Sequence, residues 1–199
     1  MDQSPSFAPN LETVNRSRRD VPFARIESYY RERYRRLDQS GEGCYRLTGL
    51  GAWAASVPEH VYFFFQRFGL EHRQLIIDLG SGDGLVACIA GLFTRSVGIE
   101  IDRWLCHEAR HAISTLGLGE RVAVVCGDYL TQQIRLADCL YIYPDKPLNE
   151  LENLLSGWQG VLLVAGPHFP LHFCEPVQKL TSGRDELVVY RMRETDRRS

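Results

Sequence analysis

The chain has 199 residues, with 23 Lys+Arg against 25 Asp+Glu, a formal net charge of −2 and 44% hydrophobic residues. That length buries roughly 70% of the unfolded surface, enough for one sizeable core and a small appendage. The balanced charge excludes a dedicated basic nucleic-acid module, and no apolar stretch reaches the roughly 18 residues that span a membrane.

Residues 1–20 are polar, contain Pro5 and Pro9, and read as a flexible lead-in. The start Met1-Asp2-Gln3-Ser4-Pro5 has no basic-then-apolar leader pattern, so a cytoplasmic protein is expected. Residues 24–38 read as a helix, with Ile26, Tyr30, Tyr34 and Leu37 on one side and Arg and Glu on the others. Segment 16–36 holds eight Arg and three acids. It is either a solvated face with pairs such as Glu27–Arg31 and Glu32–Arg36, or a surface that meets an acidic or nucleic-acid partner, the less favoured of the two.

A glycine-rich loop through Gly41, Gly43, Gly49 and Gly51 follows, then a helix opened by Ser56-Val57-Pro58-Glu59 with Ser56 as N-cap. From residue 74 the chain alternates strands (74–79, 95–100, 121–126, 137–143, 160–165) with helices (83–93, 102–116, a weak turn near 129–134, 147–157). Such alternation gives a parallel sheet covered by helices on both faces. Residues 186–193 form a last strand, antiparallel to a segment near 173–181. The division expected is 1–56, lead-in and helical extension, and 57–199, an α/β domain. The six cysteines show no C-x-x-C pair and read as small hydrophobes rather than disulfides or metal ligands.

The sharpest local feature is Asp78-Leu79-Gly80-Ser81-Gly82-Asp83-Gly84, where an apolar strand turns through three glycines into a helix. Glycines there allow a tight turn and close approach of a ligand to the backbone. A dinucleotide fingerprint is G-x-G-x-x-G; here the third glycine comes one residue early, and Asp78 and Asp83 would repel a pyrophosphate. Carboxylates suit an ammonium or sulfonium charge instead. The next strand ends in Glu100-Ile101-Asp102, where an acid can accept from both hydroxyls of a ribose. Asp128-Tyr129 closes the strand after that and could meet an exocyclic amine. Singly, Asp83, Asp102 and Asp128 also fit helix caps.

The run Asp78-x-Gly80-x-Gly82-x-Gly84, then Glu100, then Asp128, resembles the S-adenosylmethionine site of class I methyltransferases, over about residues 57–166. The resemblance implies a Rossmann-like seven-stranded sheet with one antiparallel strand. It also implies that Asp78, Gly80, Ser81, Gly82, Asp83 and Gly84 hold the methionine end of the cofactor. Glu100 would take the ribose, Ile101 and Tyr129 the adenine ring, and Asp128 its amine.

For the acceptor, Leu140-Tyr141-Ile142-Tyr143-Pro144-Asp145-Lys146-Pro147 departs from the Asn/Asp-Pro-Pro-aromatic run of base-amine methyltransferases. It resembles a small branch that includes protein-lysine methyltransferases, as does Gly51–Glu59. Transfer to a lysine amine or a small molecule is therefore expected, with Tyr141, Tyr143 and Trp53 as an aromatic pocket. Tyr143 and Asp145 are the catalytic candidates, Asp145 orienting the amine or taking its proton, though it could equally cap the helix at 147–157. His168 and His172 with Cys174 lack metal-ligand spacing, so no metal is expected, and His107 and His111 lie along a helix flank. A nucleic-acid methyltransferase, a cofactor-binding protein without transfer activity and an NAD-dependent oxidoreductase are the alternatives.

Overall fold

The structure is a computed structural model that describes residues 11–48, 51–166, 168–171 and 174–192, with side chains from residue 23 onward. His172 lies outside the described residues. The elements in order are α1 (Leu11–Ser40), β1 (Tyr45–Leu47), β2 (Ala52–Ala54), α2 (Pro58–Phe68), β3 (Leu75–Leu79), α3 (Leu85–Ala90), β4 (Arg95–Glu100), α4 (Arg103–Leu116), β5 (Val122–Cys126), β6 (Cys139–Ile142), α5 (Asn149–Leu154), β7 (Val161–Ala165), β8 (Pro176–Ser182) and β9 (Asp185–Arg191).

The period-2 strands form a seven-stranded sheet ordered β5-β4-β3-β6-β7-β9-β8. Strands β5, β4, β3, β6 and β7 pair in parallel, and β9 is antiparallel to both β7 and β8. β9 is thus the one reversed strand, as the family resemblance implies. Its reversal matters for position: Ala165, the last residue of β7, pairs with Leu187 near the start of β9. The parallel strands deliver their last residues to one sheet edge, and β9 delivers its first residues, Asp185 and Glu186, to the same edge.

Alternation along each strand splits the core in two. Ile76, Cys139, Tyr141 and Leu163 face one layer, shared with α2, α3, α4 and, through Ile26 and Tyr30, α1. Ile77, Leu79, Leu140, Ile142 and Leu162 face the other, with Leu151, Leu155 and Trp158 around α5. Burying Tyr30 and Phe65 completely against the first layer is worth about 1.5–3 kcal/mol for a large apolar side chain.

Four local expectations are corrected. The lead-in is helical from Leu11 onward, because α1 runs continuously into the amphipathic segment; residues 1–10 lie outside the described residues. Ser56 does not cap α2: Val57 occupies the N-cap with no side-chain bond, and Pro58 opens the helix. The glycine-rich loop contains an antiparallel hairpin, β1 against β2, pairing Tyr45 with Ala54. Finally, Asp145 does not cap α5, whose N-cap is Leu148 without a side-chain bond.

None of the described cysteines forms a disulfide, and Cys88, Cys106 and Cys139 are buried. Among the described residues no helix is long and apolar enough to cross a membrane, and no cluster of three or more His, Cys, Asp or Glu is arranged to hold a metal.

Candidate active site

β3 ends at Leu79, and the chain turns through Gly80–Gly84 into α3. The amides of Gly80 and Ser81 donate to the Ile99 carbonyl at 2.9 and 3.0 Å, and Gly84 donates to Ser81 at 3.0 Å, so the loop is fixed from within the sheet. Gly82 has φ +55°, and a Cβ there would lie 2.2 Å from Trp53 Cδ1. Only glycine lets Trp53, on β2, cover the loop.

The acids that look alike in the sequence have different surroundings. Asp78 is buried, and its Oδ2 has no hydrogen-bond partner, nor does the neighbouring Ser81 Oγ. Burial, then the nearby Glu100 and Asp83, pushes the Asp78 carboxyl well above the usual carboxylate range. Glu100, also buried, accepts from Gly82 N–H with Oε2 and from Asp102 N–H with Oε1, both at 2.8 Å. It therefore ties the glycine loop to the end of β4 while keeping lone pairs on both oxygens. Asp83 is an ion-pair partner: Arg33 of α1 donates Nε to its Oδ2 at 3.1 Å and also bonds Glu108 of α4. Tyr30 donates to the Asp83 carbonyl at 3.0 Å. One residue of the Arg-rich helix is thus a buried bridge between the glycine loop and α4.

Two of the three candidate caps are present: Asp102 accepts from Trp104 and Leu105 N–H at 2.8 and 3.0 Å, and Asp128 from Leu130 N–H at 2.9 Å, whereas the N-cap of α3 is Gly84, without a side-chain bond, rather than Asp83. The pairs Glu27–Arg31 and Glu32–Arg36 also form. Glu100, Ile101, Asp128 and Tyr129 line a narrow cleft of about 90 Å³ beside Gly80 and Tyr143. Burial, then Asp128, raises the Tyr129 phenol above its ordinary range.

A larger cavity, about 670 Å³, adjoins it and shares Gly51, Ala52, Trp53, Gly80, Tyr143 and Asp145 with the cleft. Its size is that of a small-molecule site. The walls carry Trp53, Phe64, Tyr141, Tyr143 and Phe169, together with Asp78, Asp83, Asp145, Asp185 and Glu186. His60 and His168 are there too, and among the described residues no Lys or Arg lines it. Tyr143 is half exposed, its phenol raised by partial burial and then by Asp185. Asp145 accepts from Ala52 N–H at 2.7 Å and lies where a Cβ on Gly51 would be, so it holds the β1–β2 hairpin over both cavities.

Sequence reasoning missed one pair. His60 Nδ1, on α2, sits 2.6 Å from Asp185 Oδ2, and both side chains line the large cavity. The two residues are 125 positions apart. The only signal was the reversed strand, whose first residue must fall at the functional edge.

The family described as Protein-L-isoaspartate(D-aspartate) O-methyltransferase (PCMT) matches this chain over residues 28–132. The chain belongs to that family. The match runs from α1 through the glycine loop to the turn after Asp128 and stops short of β6–β9, which carry Tyr143, Asp145 and Asp185. This methyltransferase is also 31% identical over 81 residues to a sterol 24-C-methyltransferase of Eremothecium gossypii, 40% of this chain but only 22% of that relative's length. Among solved structures, an RNA methyltransferase from Salinibacter ruber in complex with S-adenosyl-L-homocysteine superposes with a TM-score of 0.60 at 23% identity, covering 70% of this chain and 94% of the other. A methyltransferase from Geobacter sulfurreducens gives 0.57 at 19% identity, covering 87% and 89%. By family and fold the protein is a class I methyltransferase, a class whose methyl donor is S-adenosylmethionine.

Proposed function

We propose that this methyltransferase transfers its methyl group to an amine, on a protein lysine or a small molecule. The donor set fits S-adenosylmethionine: a buried carboxylate oxygen without a partner, on Asp78, suits the cofactor's ammonium. The backbone of Gly80, Ser81, Gly82, Asp83 and Gly84 would back the methionine end, with the Asp83 carboxylate kept for Arg33. The free lone pairs of Glu100 would accept from the ribose hydroxyls, while Ile101, Asp128 and Tyr129 frame the adenine.

The observation that carries the acceptor is the charge of the large cavity: with Asp78 facing the cofactor, Asp83 matched by Arg33 and Glu186 by Lys179, its described lining still presents Asp145 and Asp185 and no Lys or Arg. An anionic acceptor, such as an isoaspartyl carboxylate or a nucleic-acid backbone, would meet like charge there. An ammonium is attracted by the carboxylates and by the faces of Trp53, Tyr141 and Tyr143. Methyl transfer is an in-line displacement, so the protein's part is to align the nitrogen, and Tyr143 at the mouth is placed to do so.

The test is labelled methyl transfer from S-adenosylmethionine into four pools: random peptides with one central lysine, the same peptides with a central isoaspartate, a set of small-molecule primary amines, and total RNA. Label in the lysine or the small-amine pool supports the reading. Label only in the isoaspartyl or RNA pool, or none at all while S-adenosylhomocysteine binds, overturns it.

A further inference from the structure

An amine acceptor raises a problem that the aromatic pocket does not solve. A lysine amine has an unperturbed pKa of about 10.4, so at pH 7 only about 1 in 2,500 has a free lone pair. The ammonium attracted by the acidic cavity is the unreactive form, and a group in the cavity has to take its proton.

Asp145 is poorly disposed for that task, since its Oδ2 already receives the Ala52 amide. Tyr143 holds its own proton more tightly than usual. His60 has the arrangement of a base: its Nδ1 faces the Asp185 carboxylate at 2.6 Å, which makes Nδ1 the protonated nitrogen and leaves the Nε2 lone pair as an acceptor. No described residue bonds Nε2. Gly183, at φ +61° in the β8–β9 turn, has no side chain there, and a Cβ would sit 3.4 Å from Nε2. His60 and Asp185 both line the cavity, and part of the imidazole is exposed, which gives a proton a way out to water.

Resting on the amine reading above, we propose that His60 is a catalytic base of the transfer and that Asp185 is the residue that positions it. The acceptor ammonium gives one N–H proton to His60 Nε2. The freed nitrogen lone pair forms the N–CH3 bond as the methyl–sulfur bond breaks, its electron pair remaining on sulfur as a neutral thioether. The product nitrogen keeps the positive charge as a methylammonium, and His60 passes its proton to solvent.

A structural tie between α2 and the β8–β9 turn would use the same hydrogen bond, so the test separates the two. His60→Asn keeps a donor near the Nδ1 position for Asp185 but has no second nitrogen. The probes are the lysine peptide pool and the same pool with an aminooxy analogue of lysine, whose nitrogen is already unprotonated at neutral pH. His60→Asn is expected to lower kcat on the lysine pool by about 10²-fold, within the usual range for general-base catalysis. The aminooxy-to-lysine rate ratio should rise by a similar factor, with S-adenosylhomocysteine affinity and melting temperature near those of the parent. Added imidazole should restore part of the lysine activity of His60→Ala. Equal losses on both pools, or an unchanged lysine rate, overturn the base while leaving the amine reading intact. A parent enzyme that labels only the isoaspartyl pool overturns both.

Discussion

Asp78→Asn removes a charge with almost no change in shape, and it tests how the methionine end of the cofactor is held. Asp78 is buried with Oδ2 unpartnered, and its carboxyl is pushed well above the usual carboxylate range by burial, Glu100 and Asp83. An ammonium brought against it favours the ionised form. A hydrogen bond to a charged group is worth about 1.5–3 kcal/mol. At about 1.4 kcal/mol per tenfold, the substitution should weaken binding of S-adenosylhomocysteine, which bears the same ammonium, by about 10- to 150-fold. Isothermal titration measures this, and 5′-methylthioadenosine, which lacks the ammonium, should bind parent and variant alike. Titrations in buffers of different ionisation enthalpy should show proton release on binding by the parent and less by the variant. The free protein adds a signed expectation. A folded pKa raised above the unfolded one gives stability that is present below the unfolded value and lost as pH rises through the folded one. The melting temperature of Asp78→Asn, relative to the parent, should therefore climb as pH rises from about 4, the ordinary carboxylate value. Equal S-adenosylhomocysteine affinity in the two proteins, or equal loss of both ligands, would refute the assignment of Asp78 to the ammonium.

Three further substitutions probe the frame around that site. Arg33→Ala leaves Asp83 and Glu108 without their bridge, and breaking a buried pair costs about 3–5 kcal/mol, to be read by urea denaturation; a loss under 1 kcal/mol would mean that the pair is solvated. Glu100→Ala should weaken S-adenosylhomocysteine and 5′-methylthioadenosine together by at least about tenfold, since both carry the ribose, and should lower the melting temperature because the Gly82 and Asp102 amides lose their acceptor. Normal binding of both ligands would remove Glu100 from the ribose. Asp145→Ala should abolish the hydrogen-exchange protection of the Ala52 amide and speed both association and release of S-adenosylhomocysteine in stopped flow; unchanged protection would show that the hairpin is held by Trp53 alone.

The sheet was legible because its signals are local. Leu75–Leu79, Val161–Ala165 and Leu187–Tyr190 are short apolar runs bounded by turn residues, and β3 to β7 fall within two residues of the expected limits. The order of acids at the strand ends was legible for the same reason, since a parallel sheet sends every strand end to one edge. The β1–β2 hairpin was not. Its strands are three residues each, with too little alternation to stand out from a glycine-rich loop, and it is stabilised by contacts distant in sequence, Ala52 to Asp145 and Trp53 to Gly82. Nor was the His60–Asp185 pair, which depends on the register of β9 against β7. Arg33 was misleading in a different way: within an Arg-rich amphipathic pattern nothing distinguishes the guanidinium that is buried, the one such among the described side chains, from those that pair with Glu27, Glu59 or Glu32 on the surface.

The partners of the acids also determine how a cationic ligand can be accommodated. Asp83 is already matched by Arg33, and Glu100 is held at the end of β4 by two backbone amides, one on each oxygen, with its remaining lone pairs open to hydroxyl donors. Asp78 alone among these three has a buried oxygen with nothing opposite it. A buried carboxyl left this way costs free energy in the empty protein, and only a ligand that brings its own donor removes that cost. The ligand is thereby selected for its ammonium at one point and for its hydroxyls at another, one strand across and two residues along, about 8 Å apart in backbone terms, since Asp78 and Gly98 are register partners on β3 and β4 and Glu100 lies two residues beyond Gly98. An amino acid joined to a ribose meets both demands at once, and a pyrophosphate meets neither.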